Sequence, residues 1–260
     1  MRVVSWTDLL AGREKIPEPV RLTIGVFDGL HIGHRALIEA IVGGPPSGKS
    51  LVLTFPRSPQ QFLAPSRFPG LILTYRQKLS RLSDLGVEAV VAIDFSDEMS
   101  NLSGRAFIGL LRDNLNIEKI VVGENFRFGR SREAGPGDLT EMLFGSGIEV
   151  QVSHPVFRHN AVVSSSRVRK TIQEADFAEA RGMLLADHSI DLSGVAGTSG
   201  GEGVTAYRRS DIEQVLPPAG RYEVGCEHTA GLGKAEIEVL ADVILLRTHG
   251  REKITTVTFH

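Results

Sequence analysis

A single cysteine, Cys226, occurs in 260 residues. No disulfide can form within the chain, and the thiol reads as a reduced, inert side chain of the kind usual in a reducing compartment. Charge of either sign is not in excess. Lysine and arginine number 29 against 31 aspartates and glutamates, a net charge of −2. That field is too weak to hold a polyanion by charge alone, which excludes a general DNA-binding protein and argues for no nucleic-acid partner. No run approaches the ~18 apolar residues that a membrane span needs, and the first residues, Met1-Arg2-Val3-Val4-Ser5, do not open a secretory signal. Internal repeats and low-complexity tracts are also lacking. A soluble cytoplasmic chain with no membrane partner is therefore expected. At 42% hydrophobic and 23% charged residues the composition suits an ordinary folded protein. The length allows one large domain or two small ones.

What is present is an alternation. Across residues 1–185, short β-rich runs alternate with stretches whose apolar residues recur at helical spacing. The strands are expected at Val20–Val26, Leu51–Phe55, Ala89–Ile93, Ile120–Val122 and Ile148–Val152. The helices are expected at Ile32–Val42, Tyr75–Leu85, Gly104–Asp113, Asp138–Phe144 and Phe177–Leu185. Apolar strands separated by helices predict an open α/β fold around a parallel sheet. After Ala186 the texture changes to glycines and short alternating strands at Tyr222–Gly225, Ala235–Leu240, Val243–Arg247 and Ile254–Phe259, with Thr198–Gly203 as a loop. That predicts a small antiparallel barrel-like domain over 186–260.

Gly43, Gly48, Lys49 and Ser50 spell the phosphate-loop pattern G-x-x-x-x-G-K-[ST]. That loop works between a strand and a helix, with backbone N–H groups converging on phosphates. Here a helix precedes and a strand follows, and Pro45 and Pro46 remove two donors. The segment reads as a turn, and a Walker-type NTPase is excluded.

A second motif carries more chemistry. The first strand of the alternation runs into Gly25-Val26-Phe27-Asp28-Gly29-Leu30-His31-Ile32-Gly33-His34. The carboxyl end of such a strand is where α/β sheets bind ligands. Gly29 and Gly33 permit close backbone approach, and the helix start offers N–H groups to an anion. His31 and His34 can donate to the same phosphate. Two histidines at this spacing also suit a metal, but no third and fourth ligands are evident, so no metal site is assigned.

The stretch resembles the H-x-G-H signature of the nucleotidyltransferase superfamily. Its fuller form, G-x-F-D-G-x-H-x-G-H, resembles that of bacterial FAD synthetases. Three further segments agree in order and spacing: Leu53-Thr54-Phe55, Val122 to Gly129 (VGENFRFG) and Val163 to Arg169 (VSSSRVR). The resemblance implies a Rossmann-like nucleotidyltransferase domain over 1–185 that joins FMN to ATP, with Mg²⁺ accompanying the ATP. It implies that His31, His34 and Arg169 are catalytic. Gly25, Phe27, Asp28, Gly29, Gly33, Asn125, Arg127, Phe128, Ser165 and Ser166 would then bind substrate.

Several of these positions have a plainer reading. Asp28 either binds nucleotide or, indirectly, Mg²⁺, or only shapes its turn. Asn125 either contacts substrate or forms a turn. Phe126 and Phe128 either wall a flavin pocket or belong to the core. Arg127 and Arg130 either meet the FMN phosphate or are solvated. Ser165 and Ser166 are expected to cap the helix that carries Arg169 one turn later. Family members commonly carry Pro-His-Pro after the Thr-Phe of the second strand; here Ser58 stands where that histidine falls.

The carboxyl-terminal domain of most relatives is a riboflavin kinase marked by Pro-Thr-Ala-Asn. The corresponding run here is Val204-Thr205-Ala206-Tyr207, and the chain stops at His260, where the family continues into a helix. A phenol does not replace a compact amide beside Mg²⁺ and phosphate, so a degenerate kinase-like domain is expected. Two rival functions are adenylyl or cytidylyl transfer to another phosphate acceptor, and a non-catalytic flavin- or nucleotide-binding regulator.

Overall fold

The computed structural model describes residues 1–43, 48–201, 203–228, 231–248 and 253–260. They form two compact units. The first comprises Met1–Phe27, Gly33–Phe68 and Leu79–Phe157; the second comprises Asp28–Ile32, Pro69–Lys78 and Arg158–His260.

The first unit is built on six strands: β1 (Arg2–Ser5), β2 (Val20–Ile24), β3 (Lys49–Thr54), β4 (Ala89–Ala92), β5 (Ile117–Gly123) and β6 (Glu149–Ser153). They pair in parallel in the order β1-β4-β3-β2-β5-β6. The central runs are buried along their length, as parallel strands covered on both faces must be. Val20, Leu22 and Ile24 join Leu51, Leu53, Val91 and Ile120 in the core, each such side chain contributing roughly 1.5–3 kcal/mol. The helices are α1 (Trp6–Leu10), α2 (Ile32–Val42), α3 (Pro59–Leu63), α4 (Tyr75–Asp84), α5 (Asp97–Asn101), α6 (Gly104–Asn114) and α7 (Pro136–Leu143). α6 shows how they form. The Ser103 hydroxyl accepts from the Ala106 amide at 3.2 Å, and Phe107, Ile108 and Leu111 make the buried stripe.

The expected strand Val20–Val26 ends two residues early, at Ile24, because the chain then turns into a loop with left-handed residues. β1 was not expected: Arg-Val-Val-Ser is too short and too polar to read as a strand, and pairing with Ala89–Ala92 makes it one. The G-x-x-x-x-G-K-S segment lies between α2 and β3, the reverse of a phosphate loop. Lys49 pairs with Glu18 at 2.6 Å inside β3, while residues 44–47, Pro45 and Pro46 among them, lie outside the described residues. The sheet order places β2 between β3 and β5, so successive strands leave β2 in opposite directions. The carboxyl ends of β2 and β5 flank that reversal, the place where doubly wound sheets bind ligands.

In the second unit a short pair, β7 (Phe157–Arg158) and β8 (Ala161–Val162), precedes α8 (Ser165–Gln173) and α9 (Phe177–Leu184). The remaining strands are β9 (His188–Asp191), β10 (Gly197–Gly201), β11 (Val204–Arg208), β12 (Gly220–His228), β13 (Gly231–Val239), β14 (Val243–Arg247) and β15 (Ile254–Phe259). They form a curled antiparallel sheet, a half-barrel, in the order β10-β11-β14-β13-β12-β15-β9. The expected loop Thr198–Gly203 is instead largely strand. Gly197, Thr198 and Ser199 pair with Tyr207, Ala206 and Thr205, and Glu202 lies outside the described residues. Tyr207 is 5% exposed and points into the sheet's core with Ile190, Ile237 and Phe259. Cys226 is buried in the same core, and burial pushes its thiol up, away from the reactive thiolate.

Pro69–Lys78 belongs to this unit through backbone pairing. The Leu71 amide donates to the Glu213 carbonyl at 2.8 Å, and the Val215 amide donates to the Leu71 carbonyl at 2.7 Å. Gly70 makes the close approach possible: its φ is +93°, and a Cβ there would lie 2.9 Å from the Val215 nitrogen. Gly70→Ala should therefore destabilise the protein by about 1–3 kcal/mol in urea unfolding. A loss within error would show that this approach relaxes without cost.

Candidate active site

The loop leaving β2 is strained and clamped. Phe27 and Leu30 have φ of 51° and 46°, a region that bulky residues avoid, and Gly29 has φ of +89°. Such residues persist only where the surroundings over-determine them. Three sets of contacts do so here. On the β3 side, the Thr54 hydroxyl donates to the Val26 carbonyl at 3.1 Å. The Phe27 ring lies under Gly25, where a Cβ would come within 3.1 Å of it. The Asp28 carboxylate, 3% exposed, accepts the Ile72 amide at 2.9 and 3.1 Å and the Leu73 amide at 3.1 Å.

Helix α8 closes the clamp. Ser164, not Ser165 or Ser166, is its N-cap: the Ser164 hydroxyl accepts from the Arg167 amide at 3.3 Å. Any of the three serines suits a cap by residue type, and Ser164 is the one with extended backbone just before the helix. The Ser165 hydroxyl donates to the Asp28 carbonyl at 2.8 Å, and Ser166 is exposed. One turn on, the Arg169 guanidinium forms an ion pair with the Asp28 carboxylate, and its Nε donates to the Gly70 carbonyl at 2.8 Å. Arg169, whose side chain is 12% exposed, is thus a loop clamp in this structure. Burial pushes the Asp28 carboxyl up, opposed by Arg169, the two amides and Lys78. Lys78, itself buried, is lowered by burial to about 8, with the Asp28 charge pulling it back.

The two histidines sit in different surroundings. His31 is 5% exposed, and burial lowers its imidazole to about 4, so it is neutral at ordinary pH. His34 lies in the first turn of α2, with its ring edge-on to Phe27 at 5.3 Å and 76°. The first-turn amides of α2, which include Gly33, have no intrahelical acceptor.

The segment after β5 carries the other expected residues. Asn125 and Arg127 are exposed, and an Arg127 Nη donates at 2.8 Å to the Phe126 carbonyl beside it. Phe128 is buried in the core of the first unit, stacked on half-buried Phe126 at 5.3 Å, so of the open readings core applies to Phe128. Ser58 caps α3: it accepts the Gln60 amide at 3.3 Å and gives its own amide to Gln61 at 2.9 Å. Among the described residues, no group of three His, Cys, Asp or Glu is placed to hold a metal ion.

Sequence reasoning missed Gly70, Ile72, Leu73 and Lys78. Lys78 was legible in part, since its position in α4 is four before buried Leu82, on the apolar face. The backbone donors were not, because nothing local marks an amide that serves a carboxylate 44 residues away.

Comparison with known proteins agrees with the motif. The sequence pattern of FAD synthetase matches residues 13–167. A bifunctional riboflavin kinase/FMN adenylyltransferase of Buchnera aphidicola is 30% identical over 176 residues, covering 66% of this chain and 56% of that protein. One of the same description from Escherichia coli is 29% identical over 230 residues, covering 85% and 72%. The chain therefore spans little more than half the length of the first of these relatives. A solved structure described as a macrolide-efflux protein from Streptococcus pneumoniae superposes with a TM-score of 0.83 over all of this chain and 89% of its own, at 23% identity, a likeness of fold.

The buried neutral His31 has a consequence for stability. Unfolded, the imidazole titrates near 6.5; folded, near 4. Between those values the unfolded chain binds the extra proton, so stability falls as pH falls through the window, by about 3 kcal/mol in all. Wild type should lose about 2 kcal/mol more than His31→Asn between pH 7.5 and pH 5 in urea unfolding. Parallel losses would place the proton elsewhere.

Proposed function

The chain belongs to the FAD synthetase family, and from that footing we propose that it is an FMN adenylyltransferase, converting FMN and ATP to FAD and pyrophosphate. The observation that carries the reading is the clamped β2–α2 loop, with its two histidines, at the carboxyl edge of a parallel sheet. An oxygen of the FMN phosphate attacks the α-phosphorus of ATP while the bond to the pyrophosphate oxygen breaks. No protein nucleophile is required, so catalysis is positioning and charge stabilisation.

In this reading His31 enters as a neutral N–H donor. A phosphate beside it raises its pKa and draws it toward the charged form as negative charge develops. His34 donates from the first turn of α2, whose amides, with those of Gly33, favour an anion. Arg169 spends Nε on Gly70 and part of Nη2 on Asp28, and the rest of its fork is offered to the triphosphate. Exposed Ser166 and the open amides of α8 hold the leaving pyrophosphate. Asn125 and Arg127 receive FMN, and half-buried Phe126 rather than Phe128 presents a ring to the flavin. Asp28, Gly25, Phe27 and Gly29 act by shaping the loop. Mg²⁺ arrives as part of the ATP substrate.

We divide the chain by function into 1–185 for adenylyl transfer and 186–260 for a kinase-like remnant without kinase activity. Tyr207 supports this, since its ring fills the core of the half-barrel where the family has a compact asparagine. Among the described residues no helix is long and apolar enough to cross a membrane. The single buried thiol supports a cytoplasmic setting.

Chromatography of the flavins tests the reading. FMN with ATP should yield FAD and pyrophosphate, and riboflavin with ATP should yield neither FMN nor FAD. No FAD from FMN would overturn the assignment, and FMN formed from riboflavin at a comparable rate would overturn the loss of the kinase. His31→Ala and His34→Ala should each lower turnover about 10²-fold or more with folding intact. Near-normal turnover in the double variant would remove both histidines from the mechanism.

A further inference from the structure

The second unit contains a buried polar network that ties the edge strand β9 to residues 71–77. Gln214, 4% exposed, has four hydrogen-bond partners for its side-chain amide. Its Oε1 accepts the Asp191 amide at 2.7 Å. The two hydrogens of its Nε2 go to the carbonyls of Ser189 at 2.8 Å and Ile72 at 2.9 Å, with the Gln77 side-chain oxygen sharing in these bonds at 3.1 Å. The orientation is fixed, because the partners of Nε2 are oxygens and the partner of Oε1 is an N–H. The Asp191 carboxylate accepts the Thr74 hydroxyl at 3.0 Å and holds Arg76 through two nitrogens at 2.9 and 2.8 Å. It also caps its own strand end through Ser193, at 2.6 Å from the hydroxyl and 3.0 Å from the amide.

These partners converge on one segment. Residues 71–74 are held by β9 and by residues 213–215 on one side, and hold the signature loop on the other. Ile72 is the hinge between the two sets: its carbonyl receives Gln214 and its N–H goes to Asp28. An apolar side chain in place of Gln214 would pack the sheet without the desolvation cost of an amide. What the amide adds is partners for two backbone groups of β9 and a fixed position for residue 72.

We propose that Gln214 and Asp191 are positioning residues for adenylyl transfer, holding residues 71–76 so that Asp28, and with it the His31 loop, keeps the geometry the reaction needs. Side chains of the kinase-like sheet then hold the segment on which the signature loop depends. This rests on the FMN adenylyltransferase reading.

The test uses the full chain. Gln214→Glu keeps the length of the side chain and the acceptor for Asp191 but removes the donor to Ile72 and Ser189. Asp191→Asn is a milder change to the same network, and Ile237→Val, in the core of the same sheet, is the control for stability. Amide hydrogen exchange at Ile72 and Leu73 should rise about tenfold in Gln214→Glu. Turnover with FMN and ATP should fall by about tenfold or more, KM for either substrate changing less than kcat. Asp191→Asn should move both readouts the same way by less, and Ile237→Val should leave both unchanged below its melting temperature. Unchanged exchange overturns the proposal. So does faster exchange with kcat equal to the control, while wild type still forms FAD. A wild type that forms no FAD overturns the adenylyltransferase reading and the proposal together.

Discussion

The buried carboxylate of Asp28 is the constraint from which most of this site follows. Placing a charge out of water costs several kcal/mol unless paired and hydrogen-bonded. The structure meets that demand with Arg169, two amides and the nearby charge of Lys78. Each of these is then committed to a position. Arg169 fixes one face of α8, and the amides of Ile72 and Leu73 fix a segment with no regular structure of its own. Gly70 must be left-handed to bring its carbonyl to Arg169 and its backbone to Val215. The strained residues Phe27 and Leu30 are tolerated because both ends of their loop are held.

His31 inherits its properties from that arrangement. It follows the clamped residues directly, is carried into the interior with them, and is therefore neutral. A neutral imidazole does not bind a phosphate by standing charge. It responds to one, because its proton affinity rises as negative charge builds nearby. In the reaction proposed above, such a group favours the charge distribution of the reacting state over that of the resting one.

Much of the sheet was legible because parallel strands buried on both faces are nearly continuous in apolar residues, as in Ala89–Ala92. The motifs were legible because their residue types are rare in combination. What escaped was decided by distant partners. Arg2–Ser5 is a strand because Ala89–Ala92 is beside it. Gly197–Gly201 has no hydrophobic alternation, yet β11 pairs with it, and the ring of Tyr207 lies where a side chain at Gly197 would be. The cap of α8 falls on Ser164, while Ser165 donates to the Asp28 carbonyl 137 positions away. Arg169 was expected at the triphosphate from its motif; its hold on Asp28 could not be seen from a residue 141 positions away.

The contacts of Asp28 with Ser165 and Arg169 also bear on events at the ribosome. All six strands of the parallel sheet have been synthesised by Ser153, while Arg169 and Gln214 have not. At about 5–20 residues per second, the further ~60 residues to Val215 take roughly 3–12 s. For the early part of that interval a nascent chain can hold its first core, but the left-handed turn after β2 lacks two of the groups that hold it, Ser165 and Arg169. The signature loop, made early, is thus completed only by residues made after the sheet that carries it.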